Sequence, residues 1–355
     1  MADLKQPAIG IAATAMVIAI SLGFVSLFDF PTFSGWVTYF LLCVIPIQIV
    51  MAVTWGTRLP GFAAAAGQPL KGSLLVLFAL GIGVVVAAVY HRVAGAALSP
   101  PPPMLMMCTI VSVPVMFWAA IMWGGWPFTA LIRNQMAAGL VMLAAVYLVN
   151  YGLFRIFFDY GFMQGAPVYV PSLDPHGLFN AWKALVFYVT ALAAMFGLLC
   201  FDLWPMTIAP AVMKQPLLGL VWTLLALAIG GLAFYLGVEA IGMDPNAFLV
   251  RVPVPFIFGS IIVLNMLQGS LFAAQTQPVK GVLNVIAVAV IGSVLSRLYA
   301  ALAPIVTGPL TPGPPAYDFE IWLASALLAV TFPFLIFHAE FFKMWPLKRS
   351  DAGQT

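Results

Sequence analysis

The sequence predicts an all-α integral membrane protein with about ten transmembrane helices, arranged as five tandem parallel helical hairpins with cytoplasmic termini. Three observations predict it. Hydrophobic residues make up 63% of the 355 and charged residues only 7%, whereas a water-soluble globule needs about 25% charged residues to cover its surface. The apolar residues are gathered in ten runs. Those runs are continuous, unlike membrane-barrel strands, which alternate in polarity.

The runs cover 8–28, 35–54, 70–91, 105–124, 136–157, 180–201, 216–238, 253–272, 280–302 and 320–342. Each is close to the ~20 residues that carry a helix across ~30 Å of hydrocarbon. The first exceeds a typical signal-peptide core and ends in FVSLFDFP without a small-x-small cleavage site, so it is predicted to span. Ten spans put both termini on one side. Lys5, Arg58, Lys71, Arg133, Lys214, Lys280, Lys343, Lys348 and Arg349 fall on that side, and Arg92, Arg155, Lys183, Arg251 and Arg297 on the other. This bias predicts termini inside, and a bacterial inner membrane suits the lack of sorting signals. The net charge of +3 acts as an orientation signal, and no nucleic-acid partner is expected.

The hairpins are marked by a recurring Gln-x-x-x-Gly frame: QPAIG at Gln6, QPLKG at Gln68, QMAAG at Gln135, QPLLG at Gln215 and QPVKG at Gln277. Each opens an odd-numbered run. Trp55, Trp126-Pro127, Trp204-Pro205 and Trp345-Pro346 mark the ends of even-numbered runs, with Phe272 standing there after the eighth. The predicted repeats are 6–67, 68–134, 135–214, 215–276 and 277–349, together one polytopic domain of 1–355. Pro suits a helix start because its missing N–H would go unbonded there anyway, and the Gln amide is predicted to turn onto the first-turn N–H groups. Gly admits a close neighbour, and Trp suits the membrane interface.

Aligned on the Trp marks, the hairpins place Gln48, Asn265 and His338 in one layer, with Gln268 one turn from Asn265. Polar groups at that depth avoid lipid, so they are candidates for a solute pathway or for hydrogen bonds between helices. A second layer at the outer boundary holds Arg155, Asp159, Glu239 and Arg297, candidates for ringing an entrance or for solvated helix ends. Asn150, Thr190, Asn284 and Ser293 are the deeper polar positions, and no acid or base is predicted at the bilayer centre.

Catalytic signals are weak. The three histidines, His91, His176 and His338, form no ligand set of recognisable spacing with acids or cysteines, and no haem pair or phosphate loop is present. No metal or cofactor is expected. Cys43, Cys108 and Cys200 read as small buried hydrophobes. The Pro-rich segments 99–103, 166–177, 251–255 and 304–315 are predicted to be outer loops that connect or dock a protein partner. Together these features point to a transport protein, permease or channel-like, for a small solute. The alternatives are a membrane subunit or scaffold of a multiprotein complex and, further off, a membrane enzyme acting on a lipid or quinone; the enzyme question stays open.

Overall fold

The computed structural model describes residues 5–56 and 60–347. Arg58, Lys348 and Arg349 of the charge census lie outside the described residues. Among the described residues ten helices are long and apolar enough to cross a membrane: α1 (Ala8–Val25), α2 (Phe30–Trp55), α3 (Leu70–Val93), α4 (Pro103–Met122), α5 (Gln135–Phe157), α6 (Ala181–Cys200), α7 (Leu217–Ala240), α8 (Pro245–Met266), α9 (Val279–Val306) and α10 (Asp318–Phe341). The chain is an all-α integral membrane protein. Among the described residues the only strands are two-residue pieces, β1 (Phe158–Asp159) and β2 (Phe179–Asn180), paired in parallel.

Short polar side chains set several of the starts. Asp29 caps α2, its Oδ1 accepting from the Thr32 N–H at 2.8 Å, and Asn134 caps α5 through the Ala137 N–H. Asn180 caps α6 through the Trp182 and Lys183 N–H groups. Such side chains satisfy N–H groups that the helix leaves free. Asp244 does the same for α8, accepting from Asn246 and Ala247 with Pro245 at the first position. This cap moves α8 toward the N terminus of its predicted range. The Pro-rich stretch 251–255, predicted as an outer loop, lies inside the span instead, with a backbone break at Val252 just before Pro253. Likewise α9 continues through Pro304 to Val306.

The even-numbered helices form an inner ring. Contacts link α2 to α4, α4 to α6, α6 to α8, α8 to α10 and α10 back to α2. Each odd helix lies outside this ring across a seam between two inner helices: α1 over α8/α10, α3 over α10/α2, α5 over α2/α4, α7 over α4/α6 and α9 over α6/α8. Burial agrees with the two layers. In the most apolar stretch of each helix, 56–78% of residues are buried for the even set and 22–44% for the odd set.

The Gln-x-x-x-Gly frames sit where an odd helix meets the far end of an inner one. Gln68 Nε2 donates to the Phe341 carbonyl at 2.7 Å while its Oε1 accepts from the Gly72 N–H. Gln215 repeats this with Met122 and Gly219, and Gln6 Nε2 reaches the Met266 carbonyl. Gln277 Oε1 accepts from Gly281, but its Nε2 donates to the Asp202 carboxylate, which also receives Lys280 at 2.7 Å. Burial raises the Asp202 pKa, and the hydrogen bonds from Lys280 and Gln277 outweigh that and hold its carboxyl below the usual range. The third frame, at Gln135, departs from the pattern: the first turn of α5 is capped by Asn134, one residue before Gln135.

The glycines allow this docking. A Cβ on Gly72 would meet the Phe342 ring, one on Gly219 the Trp123 ring, one on Gly139 Trp55, one on Gly281 the Phe201 ring, and one on Gly10 the Met266 carbonyl and Leu267. Trp55, Trp123, Phe201, Leu267 and Phe342 are therefore the equivalent residues. Trp126, Trp204 and Trp345 stand three positions further on, because two left-handed residues intervene: Gly124–Gly125, Asp202–Leu203 and Lys343–Met344. Gln268–Gly269 occupies that place after α8. The mark after α8 is accordingly Ser270, two residues before Phe272.

Gln68 and Gln215 each make two such hydrogen bonds, worth about 1 kcal/mol apiece in a typical protein setting. Gln68→Leu and Gln215→Leu are expected to lose about 2 kcal/mol of stability each, and Gln135→Leu close to nothing, because Asn134 already holds that helix start. Equilibrium unfolding in mixed detergent checks the difference; equal losses at all three positions would rule out this division of labour.

Candidate functional site

The axis of the inner ring is filled. Phe117 of α4 packs edge-on against Phe196 of α6, centroids 5.2 Å apart, and against Phe332 of α10 at 5.9 Å. All three are at most 5% exposed. Since α4 and α10 are not ring neighbours, the second contact crosses the interior and fills it at that level.

Two clefts lie on the flank instead. The larger cleft, about 800 Å³, opens between α5 and α7 with α4 and α6 as its floor. It runs along α6 from Lys183 to Met195, which is about 18 Å at the helical rise. Its wall is apolar along that length, including Phe187, Leu192 and Leu227. At one end Trp118 and Trp123 both donate to Thr223 Oγ1, at 2.8 and 3.1 Å, and Thr223 in turn donates to the Gly219 carbonyl. These groups are mutually satisfied and ask nothing of a ligand. At the other end Lys183 Nζ pairs with Glu239 Oε1 at 2.8 Å, both side chains more than two-fifths exposed. The cleft thus has one charged mouth and a long greasy body.

A second cleft, about 690 Å³, opens between α1 and α3 over α2 and α10. Its walls are aromatic and aliphatic, with Phe24, Phe40 and Phe337 among them, and His338 faces it from α10.

The predicted pathway residues are separated rather than gathered. Gln48 is fully buried and donates to the Pro333 carbonyl at 2.7 Å, joining α2 to α10. It lies seven residues before Trp55 while His338 lies four before the equivalent Phe342, so the two are about one turn apart in depth. Asn265 is half-buried on α8, and Gln268 is exposed in the left-handed turn beyond it. In the outer set, Arg155 and Arg297 are exposed, Glu239 pairs with Lys183, and Asp159 approaches His176 at 3.9 Å within its own loop. The deep asparagines bind backbone: Asn150 Nδ2 donates to the Cys108 carbonyl and to Tyr90 Oη, and Asn284 Nδ2 to the Cys200 carbonyl. Buried polar groups used in this way fix helix packing.

Sequence spacing missed one cluster. Ligand atoms of Asp159, Asp174 and His176 lie within 4.8 Å of one another, brought together by the β1–β2 pairing. The Asp174 carboxylate is already engaged, accepting from the Tyr160 and His176 N–H groups and from Tyr169 Oη. This cluster organises the 158–180 loop. The cleft residues were equally out of reach, because they come from four helices whose adjacency depends on the ring order.

The fold defines a polytopic membrane protein with two clefts between its outer helices. No protein-family model, curated protein or solved structure matches the chain.

Proposed function

We propose that this chain is a transport protein of a bacterial inner membrane, whose solute is an amphiphile that enters sideways from the lipid. In this reading the termini are cytoplasmic and the chain is built from five tandem parallel hairpins, 6–67, 68–134, 135–214, 215–276 and 277–349. The observation that carries the reading is the cleft over α4 and α6: among the described residues its only ionic groups are Lys183 and Glu239 at one end, and the remaining length is apolar. A tail lies in the body, where burial of apolar surface and close packing hold it. A zwitterionic head exchanges its phosphate and ammonium for the partners that Lys183 and Glu239 give each other. Gln48, Asn265, Gln268 and His338 then contribute to the stability and the lining of flanking surfaces rather than to one water-filled route.

Proteoliposomes carrying a trace of acyl-labelled phosphatidylethanolamine test this. Transbilayer movement, followed by quenching of the outer leaflet, is expected to exceed that of protein-free liposomes, and Leu227→Trp, which fills the cleft, to return it to the protein-free rate. Wild-type protein no faster than empty liposomes would overturn the reading.

A second reading, a membrane subunit of a larger complex, is favoured by the outer helices. Leu77, Val84 and Val85 on α3, and Leu224 and Leu232 on α7, are all more than half exposed. Partner helices as well as lipid fit such faces. A monodisperse species of the chain's own mass in mild detergent counts against it.

A further inference from the structure

The cleft between α1 and α3 holds one polar side chain out of place. His338 is 8% exposed, and its Nε2 is buried with no hydrogen-bond partner among the described residues. A buried ring nitrogen left unbonded costs free energy of about 1–3 kcal/mol, so such a group is normally satisfied. The ring of His338 lines the cleft, and the other walls are hydrocarbon and aromatic, Phe24, Phe40, Phe334 and Phe337 among them, so they offer that nitrogen no partner.

We propose that this cleft binds an alkylated or prenylated 1,4-benzoquinone, its ring carbonyl hydrogen-bonded to His338 and its tail laid along α1 toward Phe28 and Trp36. Three features select this class. Among the described residues no Lys, Arg, Asp or Glu lines the cleft, so a phosphate or carboxylate head has nothing to pair with there and would lose its hydration. A neutral imidazole has one N–H to give, and a quinone carbonyl accepts it without bringing charge. The walls are rich in aromatic faces, Phe24 and Phe334 with centroids 5.4 Å apart, and planar rings pack against such faces in offset or edge-on geometry. The lining runs on α1 from Val17 to Phe24, about 10 Å at the helical rise, and continues past the helix end to Phe28, enough for a short tail. The proposal concerns a different cleft from the amphiphile site and stands or falls separately from it.

The test uses the full chain in phosphatidylcholine nanodiscs, titrated with decyl-substituted dimethoxy-methyl-benzoquinone. Saturable one-to-one uptake is expected, weakened at least about tenfold in His338→Leu by loss of the hydrogen bond and restored to within about threefold in His338→Gln, which keeps an N–H donor. The bound quinone is also expected to show a carbonyl stretch lowered in frequency in the wild type and unshifted in His338→Leu. Leu227→Trp, in the other cleft, should leave this binding unchanged. Uptake no greater than in empty nanodiscs overturns the proposal, as do equal affinities in wild type and His338→Leu or displacement by decanol at the same concentration as by the quinone. Should His338→Leu fail to fold, the wild-type carbonyl shift and its presence in His338→Gln decide the matter alone.

Discussion

Gly292→Val is expected to destabilise the fold by about 3 kcal/mol, the upper part of the range for overpacking a tight interior. The reason is what its side chain would meet. A Cβ at Gly292 falls on the Pro255 carbonyl of α8, and a Cβ on the facing Gly259 falls on the Val288 carbonyl of α9. Two backbones touch at this crossing, and neither can retreat by changing a rotamer. Small residues allow helices in lipid to approach this closely, and dispersion across the contact replaces the hydrophobic drive that water would supply. Gly23→Ala is the matched control: nothing lies within 4 Å of the added methyl, and alanine is the better helix former. It should lose no stability. Unfolding of both variants in mixed detergent checks the pair, and a Gly292→Val protein as stable as the wild type would mean that α8 and α9 do not cross here.

Much of the architecture was legible because membrane helices announce themselves by length and composition. Nine of the ten predicted runs sit close to their observed helices. The exception, α8, was displaced because hydropathy gives no weight to Asp244 and Pro245, whose capping geometry starts the helix eight residues earlier. The Gly of the repeated frame makes the close approach assigned to it at all five positions, whereas the Gln amide accepts from a first-turn N–H only at Gln68, Gln215 and Gln277. Their partners were not legible. Gln68 reaches Phe341 across 273 residues, and a linear pattern contains no term for which neighbour closes the ring.

The Trp marks misled for a local reason. Trp55 resembles Trp126 in sequence, yet the left-handed pair Gly124–Gly125 puts Trp126 three residues past the docking position that Trp55 itself occupies. An alignment anchored on those tryptophans placed Gln48 level with His338, and the layer of candidate pathway residues followed from that offset. The clefts escaped for another reason. Their walls are ordinary apolar residues, and an apolar residue beside a void reads the same in sequence as one packed against a neighbour. His338 was singled out as a polar residue at depth, while the emptiness beside it is a property of packing alone.

Phe117→Ala separates a lateral site from an axial one. Truncating a buried Phe costs about 3–5 kcal/mol through lost transfer energy and the cavity it leaves, and Phe117 is braced on Phe196 and Phe332 across the ring. A loss of that size is expected in detergent unfolding. The cavity would be lined by apolar groups, and apolar cavities of that kind stay dry, so vesicles bearing the variant should hold a potassium or proton gradient as well as those with wild-type protein. Phospholipid movement through the α5–α7 cleft should persist wherever the variant remains folded, since Phe117 does not line that cleft. The opposite result has an equally definite meaning. If Phe117→Ala collapsed ion gradients, the inner ring would be one side chain from a conducting pore, the channel-like form of transport would regain the axis, and the flank clefts would be left to structural lipid.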